Sequence, residues 1–236
     1  MKFESQLIKG NLIKRYKRFM ADIRIMDNKI VTAHCANPGS MINLLRNDAD
    51  VWISYIDNPK RKLMYTLEII RSSKTLVGVN TNIPNKLIYE CLKIGEIPEL
   101  LGYESIKREV IYGEKSRVDF LLEGAGRRDC YIEVKSVTLN RPEKGDKIAE
   151  FPDSVTKRGK KHLFELSQQV KKGNRAVMLY LVQRGDCKSF SIASDIDPAY
   201  ASAIKTAQNA GVELLCYDCN ILTDEISIRN PLEIKI

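Results

Sequence analysis

Residues 116–139 read SRVDFLLEGAGRRDCYIEVKSVTL, two short alternating runs on either side of a turn that contains glycine. Successive side chains of a strand point to opposite faces. Val118, Phe120 and Leu122 therefore share one face of the first run, and Cys130, Ile132 and Val134 share one face of the second. Asp119, Glu133 and Lys135 are left on the other face. The linking segment Gly124-Ala125-Gly126-Arg127-Arg128 suits a hairpin. A turn centred on Gly126 pairs residues equidistant from it, which sets Asp119 opposite Glu133.

Opposed carboxylates on neighbouring antiparallel strands lie roughly 5 Å apart at Cβ. At that spacing two negative charges repel, and a shared cation relieves them. A hard ion such as Mg2+, or Mn2+ in its place, takes oxygen ligands of this kind. Lys135 follows Glu133 by two residues, roughly 7 Å along the strand, and brings an ammonium to an attacking water or a phosphoryl oxygen. Asp119 and Glu133 as metal ligands, with Lys135 beside them, form a minimal set for metal-assisted phosphodiester hydrolysis. Alternating strands also carry Glu and Lys on plain solvated faces, so this hairpin needs support from the rest of the chain.

That support comes first from the order of elements. Residues 1–80 are β-rich, with a long extended candidate from Leu12 to Ile25, a turn at Asp27-Asn28, and strands at Ile30–His34, Val51–Ile56, Tyr65–Arg71 and Thr75–Asn80. Five short strands separated by turn signals suit a small closed barrel of OB-like form. From residue 81 the pattern is mixed. A helix is expected over Asn82–Lys93 with Pro84 near its start, and a turn of helix at Pro98–Leu101. Strands follow at Ile106–Tyr112, Arg117–Leu122 and Cys130–Leu139, then a helix over Thr156–Lys172 with Leu163, Leu166 and Val170 on one side. Ala176–Val182 is almost continuously apolar, as a central strand buried on both faces should be. Another helix, Pro198–Ala210, stops at Gly211 before a strand at Val212–Tyr217. The order αβββαβ is the common core of the restriction-endonuclease-like PD-(D/E)xK fold, with the candidate acids on its second and third strands. The literal Pro152-Asp153 falls in the polar stretch Arg141–Asp153, read as a flexible loop. The expected architecture is thus an OB-like β-barrel over residues 1–80 and a nuclease-like α/β domain over 81–236.

Charge points to a polyanion. The net charge is +8, and residues 1–80 hold 14 Lys or Arg against 7 Asp or Glu, whereas residues 81–236 hold 24 against 23. The excess sits in the barrel segment, where Lys14, Arg15, Lys17 and Arg18 form one cluster and Lys60, Arg61 and Lys62 another. Tyr16, Phe19, Trp52 and Tyr55 lie close by in sequence. Cations take phosphates while aromatic rings stack on bases. A third basic run, 157–162, opens the helix after the motif strand and brings Arg158, Lys161 and His162 near a helix N-terminus. His34 and Asn37 lie in a loop whose Pro38-Gly39 marks a tight turn, and this loop is expected to face the cleft between domains.

Six cysteines without a secretory signal read as free thiols. Cys216-x-x-Cys219 is half of a zinc ligand set. No apolar run reaches the roughly 18 residues of a membrane span, so a cytoplasmic location is expected.

Seven stretches also resemble one family nearly end to end: LIKRYKRF at 12–19, HCANPGSM at 34–41, DNPKRK at 57–62, VNT at 79–81, SRVDF at 116–120, CYIEVKSVT at 130–138 and FPDSVTKRGKKHL at 151–163. The chain is similar in these to the sugar fermentation stimulation protein (SfsA) family. The resemblance implies an OB-like N-terminal domain, a nuclease-like C-terminal domain, DNA binding, and a link to control of sugar-utilisation genes. It puts Asp119 and Glu133 at the metal positions and Lys135 at the catalytic lysine. In such sites a further carboxylate comes from the preceding helix, for which Glu90 and Glu99 compete and Glu99 is preferred. Three functions remain open: a DNA-binding protein of low sequence specificity, with duplex the favoured ligand; an active Mg2+-dependent endonuclease; and an enzyme processing RNA or single strands.

Overall fold

The computed structural model describes residues 1–113, 116–144 and 147–236. Its first six strands are β1 (Ile8–Tyr16), β2 (Met20–Arg24), β3 (Ile30–His34), β4 (Asp50–Tyr55), β5 (Tyr65–Ser72) and β6 (Thr75–Gly78). They run in the order β3-β2-β1-β4-β5-β6, and a parallel pairing of β3 with β5 closes the first five into a barrel. Closure removes the sheet edges that an open five-stranded sheet would expose. Alternate residues such as Leu12, Ile23, Val31, Ile53 and Leu67 fill the interior. The expected extended segment from Leu12 to Ile25 is corrected to two strands. Lys17 and Arg18, with φ of 48° and 64°, turn the chain between β1 and β2. No glycine marks that turn, so the sequence carried no signal for it.

Helix α1 (Ile83–Ile94) has Pro84 in its first turn and ends on Gly95, whose φ of 76° suits a residue without Cβ. The remaining elements are β7 (Ser105–Gly113), β8 (Ser116–Glu123), β9 (Cys130–Val137), β10 (Leu139–Asn140), β11 (Ile148–Phe151), α2 (Lys157–Lys171), β12 (Arg175–Val182), β13 (Ser189–Ile192), α3 (Pro198–Asn209), β14 (Glu213–Ile221), β15 (Ile226–Pro231) and β16 (Glu233–Lys235). The main sheet has the order β15-β14-β12-β9-β8-β7. Its centre, β9-β12-β14, is parallel. Strand β12 is apolar throughout because both its faces are covered: Val177, Leu179 and Leu181 pack with α1 residues such as Leu87 and Ile88, and Met178, Tyr180 and Val182 with Leu163 and Leu166 of α2 and Ile204 of α3. Leu7, Trp52 and Ile69 from the barrel region join the α1 side of this core, so the two parts share apolar packing.

A second, four-stranded sheet of order β10-β11-β13-β16 was not anticipated. It overturns the expectation of a flexible loop over Arg141–Asp153, because β11 lies within that stretch and pairs in parallel with β13. Four residues, I-A-E-F, are too few to show a period. The expected loop's Gly145 and Asp146 lie outside the described residues. Pro152 follows a cis peptide bond, and Asp153 Oδ2 accepts the amide N–H of Met41 at 2.9 Å. A Cβ on Gly39 would stand 2.3 Å from an Asp153 oxygen, so that approach requires glycine. The dipeptide with the family-motif letters is a clamp between barrel and α/β region. Cys216 and Cys219 face opposite cores across β14, which disqualifies them as a chelating pair. No helix among the described residues is long and apolar enough to cross a membrane.

Candidate metal centre

The hairpin between β8 and β9 pairs Phe120 with Ile132, Leu121 with Tyr131 and Leu122 with Cys130, the register of a turn centred on Gly126. Parity sends Phe120, Leu122, Cys130, Ile132 and Val134 into the core beneath α1 and turns Tyr131 and Val137 toward α2. One residue past the last of these pairs the ladder gives way. Asp119 Oδ2 accepts the backbone N–H of Val134 at 2.7 Å, and its Oδ1 accepts Asn85 Nδ2 of α1 at 2.6 Å. Asp119 is thereby gripped from both the next strand and the helix.

Glu133 is only 3% exposed. Its Oε1 accepts Lys135 Nζ at 2.7 Å and contacts His162 Nδ1. Lys135 Nζ also lies 3.3 Å from His162 Nδ1, and Arg158 Nε donates to His162 Nε2 at 3.2 Å. His162 is carried inward by the buried side of α2, which begins at the Thr156 N-cap. The other carboxylate oxygen, Glu133 Oε2, is buried without a hydrogen-bond partner among the described residues.

The two acids differ electrostatically. Burial and the neighbouring charge of Glu133 push Asp119 up to about 6, against the N–H of Val134, the Lys135 charge and Asn85. Burial also raises Glu133, but Lys135 and His162 outweigh it and hold its carboxyl below the ordinary value. The phenol of Tyr112 is driven upward by burial and then by Glu133, Glu165 and Asp119, so three carboxylates share this corner. Glu165 was missed by sequence reasoning. It lies in α2 three residues beyond His162, with both oxygens buried and without a hydrogen bond among the described residues, Lys161 Nζ being 3.6 Å from Oε1. Helical spacing from His162 was the signal that could have found it.

Among the described residues no three His, Cys, Asp or Glu side chains form a set that could hold a metal ion. Asp119 and Glu133 supply two carboxylates, the kind of donor of which Mg2+ commonly takes one or two while keeping its waters. Glu99, preferred from sequence as the third acid, is placed elsewhere: its Oε2 accepts the Tyr217 hydroxyl at 2.6 Å and its backbone oxygen accepts Arg175. Glu90 lines a groove on the barrel side of α1.

The basic candidates separate into free and committed groups. Lys17, Arg18, Lys60 and Lys62 are exposed. Lys14 Nζ sits 3.7 Å from Asp22 and over the ring of Tyr16. Arg15 is committed, since its Nη2 donates to the backbone oxygens of Asn37 and Gly39. Asn37 Oδ1 in turn accepts the Gly39 N–H, bracing the turn. Arg61 points inward to Thr66, Arg158 serves His162, and Lys161 pairs with Glu165. His34 stacks on Phe19. Trp52 is buried, whereas Tyr55 and Phe19 are exposed.

Comparison with known proteins agrees with this architecture. Residues 13–79 match the model of the SfsA N-terminal OB domain, and residues 82–225 that of the sugar fermentation stimulation protein RE domain. Sugar fermentation stimulation protein homologs of Maricaulis maris and Paramagnetospirillum magneticum are 49% and 50% identical over 236 residues, covering 100% of this chain and 99% and 98% of theirs. The structure of Pyrococcus furiosus SfsA in complex with Ca2+ superposes with a TM-score of 0.89 at 26% identity, covering 100% of this chain and 98% of that one. The chain belongs to the sugar fermentation stimulation protein (SfsA) family.

Proposed function

We propose that this protein binds DNA with low sequence specificity and that Asp119 and Glu133 form a divalent-cation site for phosphodiester hydrolysis. The observation that carries the reading is Glu133 Oε2, a buried carboxylate oxygen with no hydrogen-bond partner among the described residues, beside the half-buried Asp119. An unsatisfied buried polar group costs about 1–3 kcal/mol. A cation offsets that cost and the repulsion between the acids together. The Ca2+ in the Pyrococcus furiosus relative supports a hard divalent ion, with Mg2+ or Mn2+ as the candidates here.

Asp119 and Glu133 would hold such an ion, which would neutralise phosphoryl charge and acidify a water. The protein's own groups do the positioning. Lys135 holds Glu133 Oε1 at 2.7 Å, which leaves Oε2 for the ion and puts an ammonium charge at the acid site. His162, braced by Arg158, fixes the same oxygen from the helix side. Asn85 and the Val134 amide hold Asp119 in one orientation. The exposed Lys17, Arg18, Lys60 and Lys62 supply sequence-independent contacts to phosphates. Six buried free thiols suit the reducing cytoplasm. A role in control of sugar-utilisation genes rests on the family name and on DNA binding.

The test compares wild type with Glu133→Gln by cleavage and gel retardation of duplex DNA, with Mg2+ or Mn2+ supplied. Cleavage should fall by more than about 100-fold, beyond the loss typical of groups that only orient a ligand, while retardation persists. Retardation by wild type without scission in either ion would favour a regulatory binder that keeps the nuclease scaffold for grip.

A further inference from the structure

A groove of about 1200 Å3 opens between the barrel and α1. That exceeds the roughly 300–1,000 Å3 of a small-molecule site, so a stretch of polymer suits it better than a single metabolite. Its floor is polar and held still. Glu68 of β5, 6% exposed, accepts Ser54 Oγ at 2.7 Å and Asn80 Nδ2 at 2.8 Å, and Arg61 Nη2 donates to Thr66 Oγ1 at 2.8 Å. Burial raises the Glu68 carboxyl above its ordinary value.

The walls are aromatic. Tyr55 and Phe19 are 43% and 44% exposed at the barrel side, Phe19 lying over His34 with ring centroids 6.4 Å apart. Across the groove, Tyr89 of α1 carries Lys93 and Arg108 over its ring at 4.7 and 4.9 Å. With Lys2, Arg61, Lys62 and Lys86, six cationic side chains line the groove against the carboxylates of Glu4, Glu68 and Glu90. Cationic rims with exposed rings suit a polyanion whose bases are bare.

We propose that this groove seats a single-stranded nucleic acid, bases on Tyr55 and Phe19 with their edges toward Glu68 and Asn80, phosphates on Lys62, Lys86 and Lys93. This rests on the reading that the protein acts on nucleic acid, and it names the strand form that this groove receives. A paired duplex hides its base faces in the stack and its edges in pairing, and offers neither to these walls. The location is informative too. Asn82 and Ile83 line the groove, while Asn85 in the same turn of α1 grips Asp119. Groove and acids therefore flank one helix, whose full diameter is roughly 10–12 Å.

The test uses the full-length protein with chelator present, so that no cleavage contributes, and measures fluorescence anisotropy of labelled short oligothymidylate against a duplex of equal length. Single strand should bind more tightly. Tyr55→Ala and Phe19→Ala should each weaken it by between about fivefold and a hundredfold, with duplex affinity unchanged and Tyr55→Phe near wild type. Both rings are exposed, and an unchanged melting temperature verifies the fold. Three results would overturn the proposal: equal or tighter duplex binding, single-strand preference indifferent to both alanines, or equal competition by polyglutamate. None of these depends on hydrolysis, so duplex cleavage lost in Glu133→Gln would still stand if the groove failed, and the groove would stand if no scission occurred.

Discussion

Glu68 in the barrel and Glu133 in the α/β sheet are buried to nearly the same depth, 6% and 3% exposed, and yet they are different kinds of group. Glu68 spends one oxygen on Ser54 and the other on Asn80. Glu133 spends one oxygen on Lys135 and His162 and leaves the other without a hydrogen-bond partner among the described residues, next to Asp119. Glu150 stands at the other extreme from Glu133, with both oxygens bound by Arg141, which also reaches Asp195. Depth sets the cost of burying a charge, and the partner inventory decides whether that cost is met within the fold or awaits a ligand.

The largest effect should come from breaking the saturated pair. Arg141→Ala strands Glu150, which is 5% exposed, and should cost about 3–5 kcal/mol in urea unfolding. A loss under about 1 kcal/mol would rank this cluster with ordinary surface pairs.

Asp119→Asn tests the unsaturated side. The folded carboxyl titrates at about 6 against an ordinary 3.8. The folded state therefore holds a proton that the unfolded chain has released, so wild-type stability is fully present below pH 3.8 and falls as pH rises through 6. Asn carries no such penalty. The variant should exceed wild type by on the order of 2 kcal/mol at pH 8 without divalent ions, and show no excess at pH 3.5. Added Mg2+ should close the gap by stabilising wild type. A gap that is the same at both pH values would show that burial and Glu133 together do not raise the Asp119 carboxyl.

Glu68→Gln should be the mildest change. An amide keeps one acceptor for Asn80 and can donate to Ser54, so the loss should be under about 1 kcal/mol at pH 5. Because burial raises the Glu68 carboxyl, the variant should gain on wild type as pH increases. Its melting temperature should respond to Mg2+ as wild type does. A lost response would tie the barrel carboxylate to the metal centre.

Much of the main sheet was legible. The alternation of 116–139 and its central glycine predicted faces and register that hold for Phe120–Leu122 against Cys130–Ile132, because strand parity and turn geometry act within two dozen residues. The apolar run of β12 announced a strand covered on both sides. The second sheet was not legible, since β10 has two residues, β11 and β13 four each and β16 three, and their partners are distant in the chain. Arg15 looked like a phosphate contact and proved to brace the Asn37–Gly39 turn, a bond that bridges about two dozen positions. Glu99 looked like a ligand and was drawn to Tyr217, 118 residues away.

For the site, chain chemistry alone determined which ionisable groups share the Glu133 face of the hairpin, because a pleat repeats every two residues whatever surrounds it. Tertiary structure decided the rest: that the ladder opens at Asp119, that α2 delivers His162 and Glu165 to the same corner, and that barrel and α1 enclose a groove beside it. Those outcomes depend on how separate elements pack and which polar atoms are left unmatched when they do. No local pattern encodes a partner that arrives from another element.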